Sequence, residues 1–477
     1  MRIGRRPPKV SVIIPTYNLA SLLPLTINSV LEQTYPDLET IVVDDGSTDN
    51  TPEVMERYSG RVIYIRQPNQ GVAAARNTGI RAASGDCLMF MDHDDLLLPH
   101  KVQRQVDVMQ ARPDISFVHC RYYHIDEKGA PFEKVGLLPE GDVLAQLIIG
   151  DFVWVGGPLI RRECLERVGL FDEENPWSAD WDMWLRIART GYAFACVQEP
   201  LGSYRILSSS MTGNVLKLEQ GAIRVLDKAF ADPALPADIV ARKSLAYGHT
   251  RFWLSCRYYA AGAWEDAGRN FSQALALHPQ FLSRMNEMAQ MLADDALSLR
   301  VTEPLGFLEG VFAHLPPEHE AFRRRQSMIF EKTYLGLALR NYALGNVDEG
   351  KRFLAAALKQ NPALRENPED FGSSLYYHAM RLPSNSPHQF VDRVLQNLPD
   401  GAQRLAAVRQ HVIGDVSIGN AFQDYFSGLR LSVVRQVLTG IRCRPSWLKN
   451  RGVWSIFLKS LTGWPTTGHV SQARPSA

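Results

Sequence analysis

Four short apolar runs, separated by amphipathic stretches, dominate residues 9–91. KVSVII (9–14), TIVV (40–43), VIYI (62–65) and LMFM (88–91) have the length and apolarity of buried strands. Between the first two, Leu19, Leu22, Leu23, Ile27, Val30 and Leu31 recur at helical spacing. Thr51 as N-cap with Pro52 behind it predicts a second helix, and residues 72–83 a third. Short strands alternating with helices mean βαβ units and a mostly parallel sheet. Ligands of such sheets bind beyond the carboxyl ends of the strands. Three polar clusters fall there: Pro15-Thr16-Tyr17-Asn18, Asp44-Asp45 and Asp92-His93-Asp94-Asp95.

The third cluster carries the most pointed chemistry. Three carboxylates within four residues repel one another, and a fold that gathers them needs a cation. Hard divalent ions take carboxylate oxygens and keep positions open for substrate phosphates. Taken singly, the motif reads more readily as an acidic turn that caps the next helix, which is the commoner case. A carboxylate fixed at a strand end can accept a pyrimidine N–H, and a neighbouring tyrosine can stack on the base. Arg76, on a helix with a small-residue face, can hold a diphosphate through two parallel bonds or serve a salt bridge to a nearby aspartate. Tyr17 can equally be an aromatic at the core edge.

Composition narrows the class. At 477 residues the chain is long enough for about two to four domains. A net charge of +1 gives no footing for nucleic acid as the main partner. The six cysteines, at positions 87, 120, 164, 196, 256 and 443, lack metal-ligand spacing and mostly sit in apolar runs. That favours a reducing compartment. The basic N-terminus has too short an apolar stretch for a signal peptide, and no window reaches the length of a membrane span. A cytoplasmic enzyme is expected.

Together, VSVIIPTYN, VVDDGSTDNT, NQGVAAARNTGI and FMDHDD resemble the successive motifs of family 2 glycosyltransferases with the GT-A fold. The resemblance spans about residues 9–210 and implies a nucleotide-sugar donor, foremost a uridine diphosphate sugar, a Mn²⁺ or Mg²⁺ ion, and inverting transfer. By that resemblance Tyr17 and Asp45 hold the base, supported by Thr16 and Asp44. Arg76 faces the base or diphosphate, Asp92 the ribose, and Asp94 the metal together with Asp92. Pro15, Asn18 and His93 complete the donor-binding set; His93 fills the variable place between two aspartates and is not expected as a ligand. The segment WVGGPLIRRECLERVGLFDEENPWSADWDMWLRIA continues the likeness. In many members a Glu-Asp pair there supplies the general base. This chain reads Ala179-Asp180, which makes Asp180 the candidate base without its usual glutamate. Gly202-Ser203-Tyr204-Arg205, with Ser208 to Ser210, resembles the closing segment of the family; Arg205 is placed to neutralise the leaving diphosphate, and an ordinary exposed loop is the other reading.

From about residue 215 helical periodicity takes over. Residues 258–279 and 342–362 are alike. Gly262, Ala267, Phe271, Ala274, Leu275 and Pro279 match the second half of a tetratricopeptide repeat. Gly345, Leu354, Ala357, Leu358 and Pro362 repeat the pattern, with Gly350 for the first alanine. Such helix pairs serve self-association, acceptor docking or plain support. Residues 425–464 hold seven Arg and Lys and no Asp or Glu, interleaved with Leu, Val and Trp. A basic amphipathic segment of this kind lies in the headgroup layer of an anionic membrane, or packs on an acidic face of its own protein. His469 to Ala477 read as disordered.

The expected architecture is therefore α/β, a GT-A nucleotide-sugar-binding domain over 1–214, followed by an all-α region over 215–420 and a basic tail over 421–477. The leading function is metal-dependent glycosyl transfer to a glycan, lipid-linked or protein acceptor, in the cytoplasm or peripheral at the inner membrane face. The alternative is a non-catalytic interaction protein that only presents its helices. A nucleotidyltransferase fits less well, for want of a glycine-rich, lysine-containing loop.

Overall fold

The computed structural model describes residues 6–207, 213–383, 386–426 and 428–462. Ser208 to Ser210 and His469 to Ala477 lie outside the described residues. The chain forms two compact units. One runs through Pro131, Leu137–Ala261 and Arg269–His278; the other comprises Phe132–Gly136, Gly262–Gly268 and the chain from Pro279.

The first unit is built on β1 (Val10–Thr16), β2 (Leu38–Asp44), β3 (Ile63–Arg66), β4 (Cys87–Phe90), β5 (Leu96–Leu97), β6 (Phe117–Ile125), β8 (Leu159–Arg161) and β9 (Phe194–Arg205). β7 (Pro131–Lys134) falls almost wholly in the other unit. The strand order is β3-β2-β1-β4-β8-β6-β9-β5. β3, β2, β1 and β4 run parallel. β8 is antiparallel to both β4 and β6, and β5 to β9, which makes the sheet mixed.

Register positions the polar clusters. Thr16 pairs with Asp44 and Ile13 with Phe90, so the ends of β1, β2 and β4 emerge side by side. The helices of this unit include α1 (Leu23–Leu31), α2 (Thr51–Glu56), α3 (Val72–Ala82), α4 (Lys101–Ala111), α5 (Leu144–Leu147), α6 (Arg162–Val168) and α7 (Ala179–Arg189). Thr51 is the first residue of α2 rather than its cap, and its hydroxyl donates to Asp49 at 2.6 Å. The small-residue face of α3 lies on β1, where Gly79 comes so close that a Cβ would sit 2.3 Å from Ile13. Phe117 stacks on Phe194 with centroids 3.9 Å apart and meets Trp184 edge-on, tying β6, β9 and α7 into one core.

No strand follows Arg205 among the described residues. In the second unit the helices Gln326–Leu344 and Val347–Gln360 form a tight hairpin. Leu335, Ala338, Leu339 and Tyr342 of the first are buried in one cluster with Leu354, Ala357 and Leu358 of the second.

Candidate active site

A cavity of about 770 Å³ opens at the strand ends of the first unit. It brings together Pro15 and Thr16 at the end of β1, Tyr17 and Asn18 just after it, Asp45 just after β2, Arg76 from α3, Asp92, His93 and Asp94 after β4, Asp180 from α7, and Arg205 from β9. Asp44 is the one candidate outside its lining. It is fully buried behind Asp45, accepting from the Ser47 amide at 2.7 Å and the Tyr64 hydroxyl at 2.7 Å. Asp44 therefore shapes the loop that carries Asp45.

Asp45 accepts from the Gln67 side chain (2.7 Å) and from the backbone amides of Gln70 (3.0 Å) and Gly71 (2.7 Å). Asn18 stitches the β1 turn to the same loop: its Oδ1 accepts the Thr48 amide at 2.7 Å, and it adopts a positive φ of 49°. Tyr17, 45% exposed, stands free at the rim, where a planar ring can lie on it. His93 Nδ1 stands 3.0 Å from the Thr16 hydroxyl and accepts the Tyr17 amide at 3.4 Å, so its proton resides on Nε2. It bridges β1 to the segment after β4.

Arg76 is 5% exposed. It donates to Asp92 Oδ1 at 2.7 Å, lies 5.4 Å from the centroid of Phe171, and its buried Nε has no partner among the described residues. Burial first, and then the Asp92 charge, push the Asp94 carboxyl up to about 7. Uncompensated negative charge of this sort is what a cation relieves. Among the described residues no group of three or more His, Cys, Asp or Glu can enclose a metal. Two neighbouring carboxylates, Asp92 and Asp94, line the cavity, and ions such as Mg²⁺ and Mn²⁺ combine a few carboxylates with water and phosphate.

Asp180 sits in the first turn of α7, with Ser178 at the cap position. Its Oδ1 accepts the Trp181 amide at 2.9 Å. Burial raises its pKa against the opposing pull of Arg76, which strengthens it as a proton acceptor. Ala179 is buried. Arg205 is also buried: Nε donates to the Asp94 carbonyl at 2.8 Å, and another guanidinium nitrogen to the carbonyls of Asp126 and Glu127. Its charge anchors the backbone of Asp94.

Of the far wall, only Tyr204 was named from the sequence, within the closing segment. Tyr122, Phe152, Trp154, Trp177 and Tyr204 line it, with Asp151 beside them. Trp154 donates to the buried Asp95 at 2.6 Å, and Gly202 of β9 leaves room for its ring, since a Cβ there would lie 2.5 Å from it. Asp151 opens onto the cavity, yet the protein around it, and then the Asp180 charge, push its carboxyl well above the usual range. The Trp-Val-Gly-Gly run, the Asn-Pro-Trp turn and the Gly-Ser-Tyr-Arg segment were the signals available for this wall.

The sequence profile of glycosyl transferase family 2 matches residues 11–168. TuaG of Bacillus subtilis, a glycosyltransferase assigned to teichuronic acid biosynthesis, is 31% identical over 219 residues, which cover 44% of this chain and 84% of that protein. The chain belongs to glycosyl transferase family 2. An uncharacterized glycosyltransferase of Nostoc sp. agrees at 30% identity, covering 54% of this chain and 86% of that family member. A Rickettsia typhi relative is 32% identical, and there the chain spans 61% of the relative's length. Among solved structures, a Pyrobaculum calidifontis mannosyltransferase in complex with GDP-Man and Mn²⁺ is 20% identical with a TM-score of 0.40, covering 70% of this chain and 88% of that one.

Proposed function

We propose that this protein is an inverting, metal-dependent glycosyltransferase that moves a sugar from a nucleoside diphosphate donor, foremost a uridine diphosphate sugar, to an acceptor hydroxyl. The observation that carries the reading is one cavity lined by Tyr17, Asp45, Arg76, Asp92, Asp94 and Asp180. Tyr17 offers a stacking face and Asp45 a fixed carboxylate to the base. Asp92 and Asp94 would hold a divalent cation, which would supply charge neutralisation to the diphosphate. Asp180 takes the proton of the acceptor hydroxyl as its oxygen bonds to the anomeric carbon and the bond from that carbon to the diphosphate breaks. Family membership supports the reaction class, and TuaG points to cell-surface polysaccharide as an acceptor. The transferase chemistry falls within residues 1–214. Residues 215–420 are proposed as tetratricopeptide-like support, on the strength of the hairpin around Gly345, and 421–477 as a basic tail.

Donor hydrolysis across a panel of nucleotide sugars, with Mn²⁺ or Mg²⁺ and with chelator, tests the reading. Chelator-sensitive hydrolysis of one or a few donors is expected. Donor binding without turnover under every condition would instead favour the non-catalytic interaction protein.

A further inference from the structure

The last two described helices, Arg430–Cys443 and Arg451–Thr462, turn Val433, Val437, Val453 and Ile456 inward. There they join Ile418, Ala421 and Tyr425 of the helix Arg409–Phe426 in one buried cluster. With the inward positions filled, large apolar side chains still face outward. Leu431 is 89% exposed, Leu438 55%, Leu458 53%, Leu461 57% and Trp454 37%. Leu431, Arg435, Leu438 and Arg442 recur at helical spacing on a single stripe, as do Arg451, Trp454, Leu458 and Leu461.

The charges decide between partners. Arg444 pairs with Asp415, and Trp447 donates to the same carboxylate at 2.7 Å, so that part of the segment does pack on an acidic group of its own protein. Arg435, Arg442 and Arg451 are exposed and, among the described residues, pair with no carboxylate. No Asp or Glu occurs between residues 425 and 464 to complement them. A second copy docked on this face would set guanidinium against guanidinium. A nucleic acid would leave the leucines without a role. An anionic bilayer answers both features, because its phosphates meet arginine while its acyl boundary takes leucine and tryptophan. Helices of 14 and 12 residues are too short to cross it.

We propose that the outward face of these two helices seats the protein on an anionic lipid surface, with Leu431, Leu438, Trp454 and Leu458 entering the headgroup layer and Arg435, Arg442 and Arg451 meeting lipid phosphate. This does not depend on the glycosyl-transfer reading. The test is co-sedimentation of the full chain with vesicles of phosphatidylcholine alone or of phosphatidylcholine with phosphatidylglycerol. Preferential binding to the phosphatidylglycerol vesicles is expected, weakening as salt rises. Replacing the three arginines by glutamine should lower partition about 100-fold. Leu431→Ser with Leu438→Ser and Leu458→Ser should lower it by roughly tenfold or more with the charge intact. These side chains are exposed, so melting of both variants should match the parent. Equal partition into both vesicle types overturns the proposal. So does the absence of sedimentation, or a dimer dissolved by the serine substitutions without any vesicle binding.

Discussion

Asp180 and Asp182 stand two residues apart on α7 and meet opposite surroundings. Asp180 faces the cavity with a raised pKa. Asp182 is buried and paired with Arg186 at 2.8 Å and Lys228 at 2.9 Å, so its carboxylate is already occupied. Asp180→Asn should fold, bind donor and lose transfer by a factor of about 10² to 10⁴, the range of a general base. Asp182→Asn should keep much of the activity and lose stability instead. A transfer assay that ranks the two in reverse order would remove Asp180 from its role. Lys101 carries a prediction of another kind. It is fully buried, donates to Gln105 and the Gly157 carbonyl, and burial lowers its pKa to about 8 from an ordinary 10.5. Between those values the unfolded chain binds a proton that the folded chain does not, so raising the pH through that window stabilises the fold. The gain is on the order of 3 kcal/mol. Urea titrations of the parent and Lys101→Met should show the parent gaining stability relative to the variant as pH rises through that window, and parallel curves would refute it. The pairing of Asp182 with Arg186 follows from a four-residue spacing and is legible in a bare sequence. The approach of Asp151 to the cavity of Asp180 is not, because it depends on how α5 and α7 pack.

At the scale of elements, the site is a set of strand ends held in line by their loops. Gly46 follows Asp45 with φ at +80°, and a Cβ there would come 2.9 Å from the Asn69 amide nitrogen. Gly46→Ala should therefore push the 67–71 loop off Asp45, costing about 1–3 kcal/mol and raising KM for donor more than it lowers kcat. Chemical unfolding with donor kinetics checks this, and a fully stable variant with unchanged KM would count against it. β1, β2 and β4 were readable because parallel strands buried on both faces show as continuous apolar runs, while β3 keeps an apolar run although it is a partly exposed edge strand. Their ends, with Tyr17, Asp45 and Asp92 to Asp94, came with them. β8 was not readable. It is three residues long, and it owes its place between β4 and β6 to partners far away in the chain. Most of the aromatic wall escaped for the same reason, since Tyr122 and Tyr204 come together only when β9 is laid beside β6, and Trp154 and Trp177 join them from segments with no shared periodicity.

For the whole molecule, the change from strands to helices near residue 215 is plain in the periodicity, while the grouping of Phe132–Gly136 with the second unit is invisible to it. β9 has a further consequence, which lies in the order of synthesis. Its end supplies Tyr204 and Arg205 to the cavity, and the Arg205 backbone and guanidinium reach back 110 and 111 residues to Asp95 and Asp94. The nucleotide-facing β1, β2 and β4 leave the ribosome early and pair among themselves. The wall opposite them cannot form until residue 205 has emerged, and until then β6 lacks its parallel partner. Stalled nascent chains that expose residues only to Ile148 should be cut rapidly by protease, and chains that expose β9 and α7 should resist. Full protection of the shorter chains would show that β6 does not wait. The helices encoded after residue 215 emerge later still, so the strand-built half has their synthesis time in which to close.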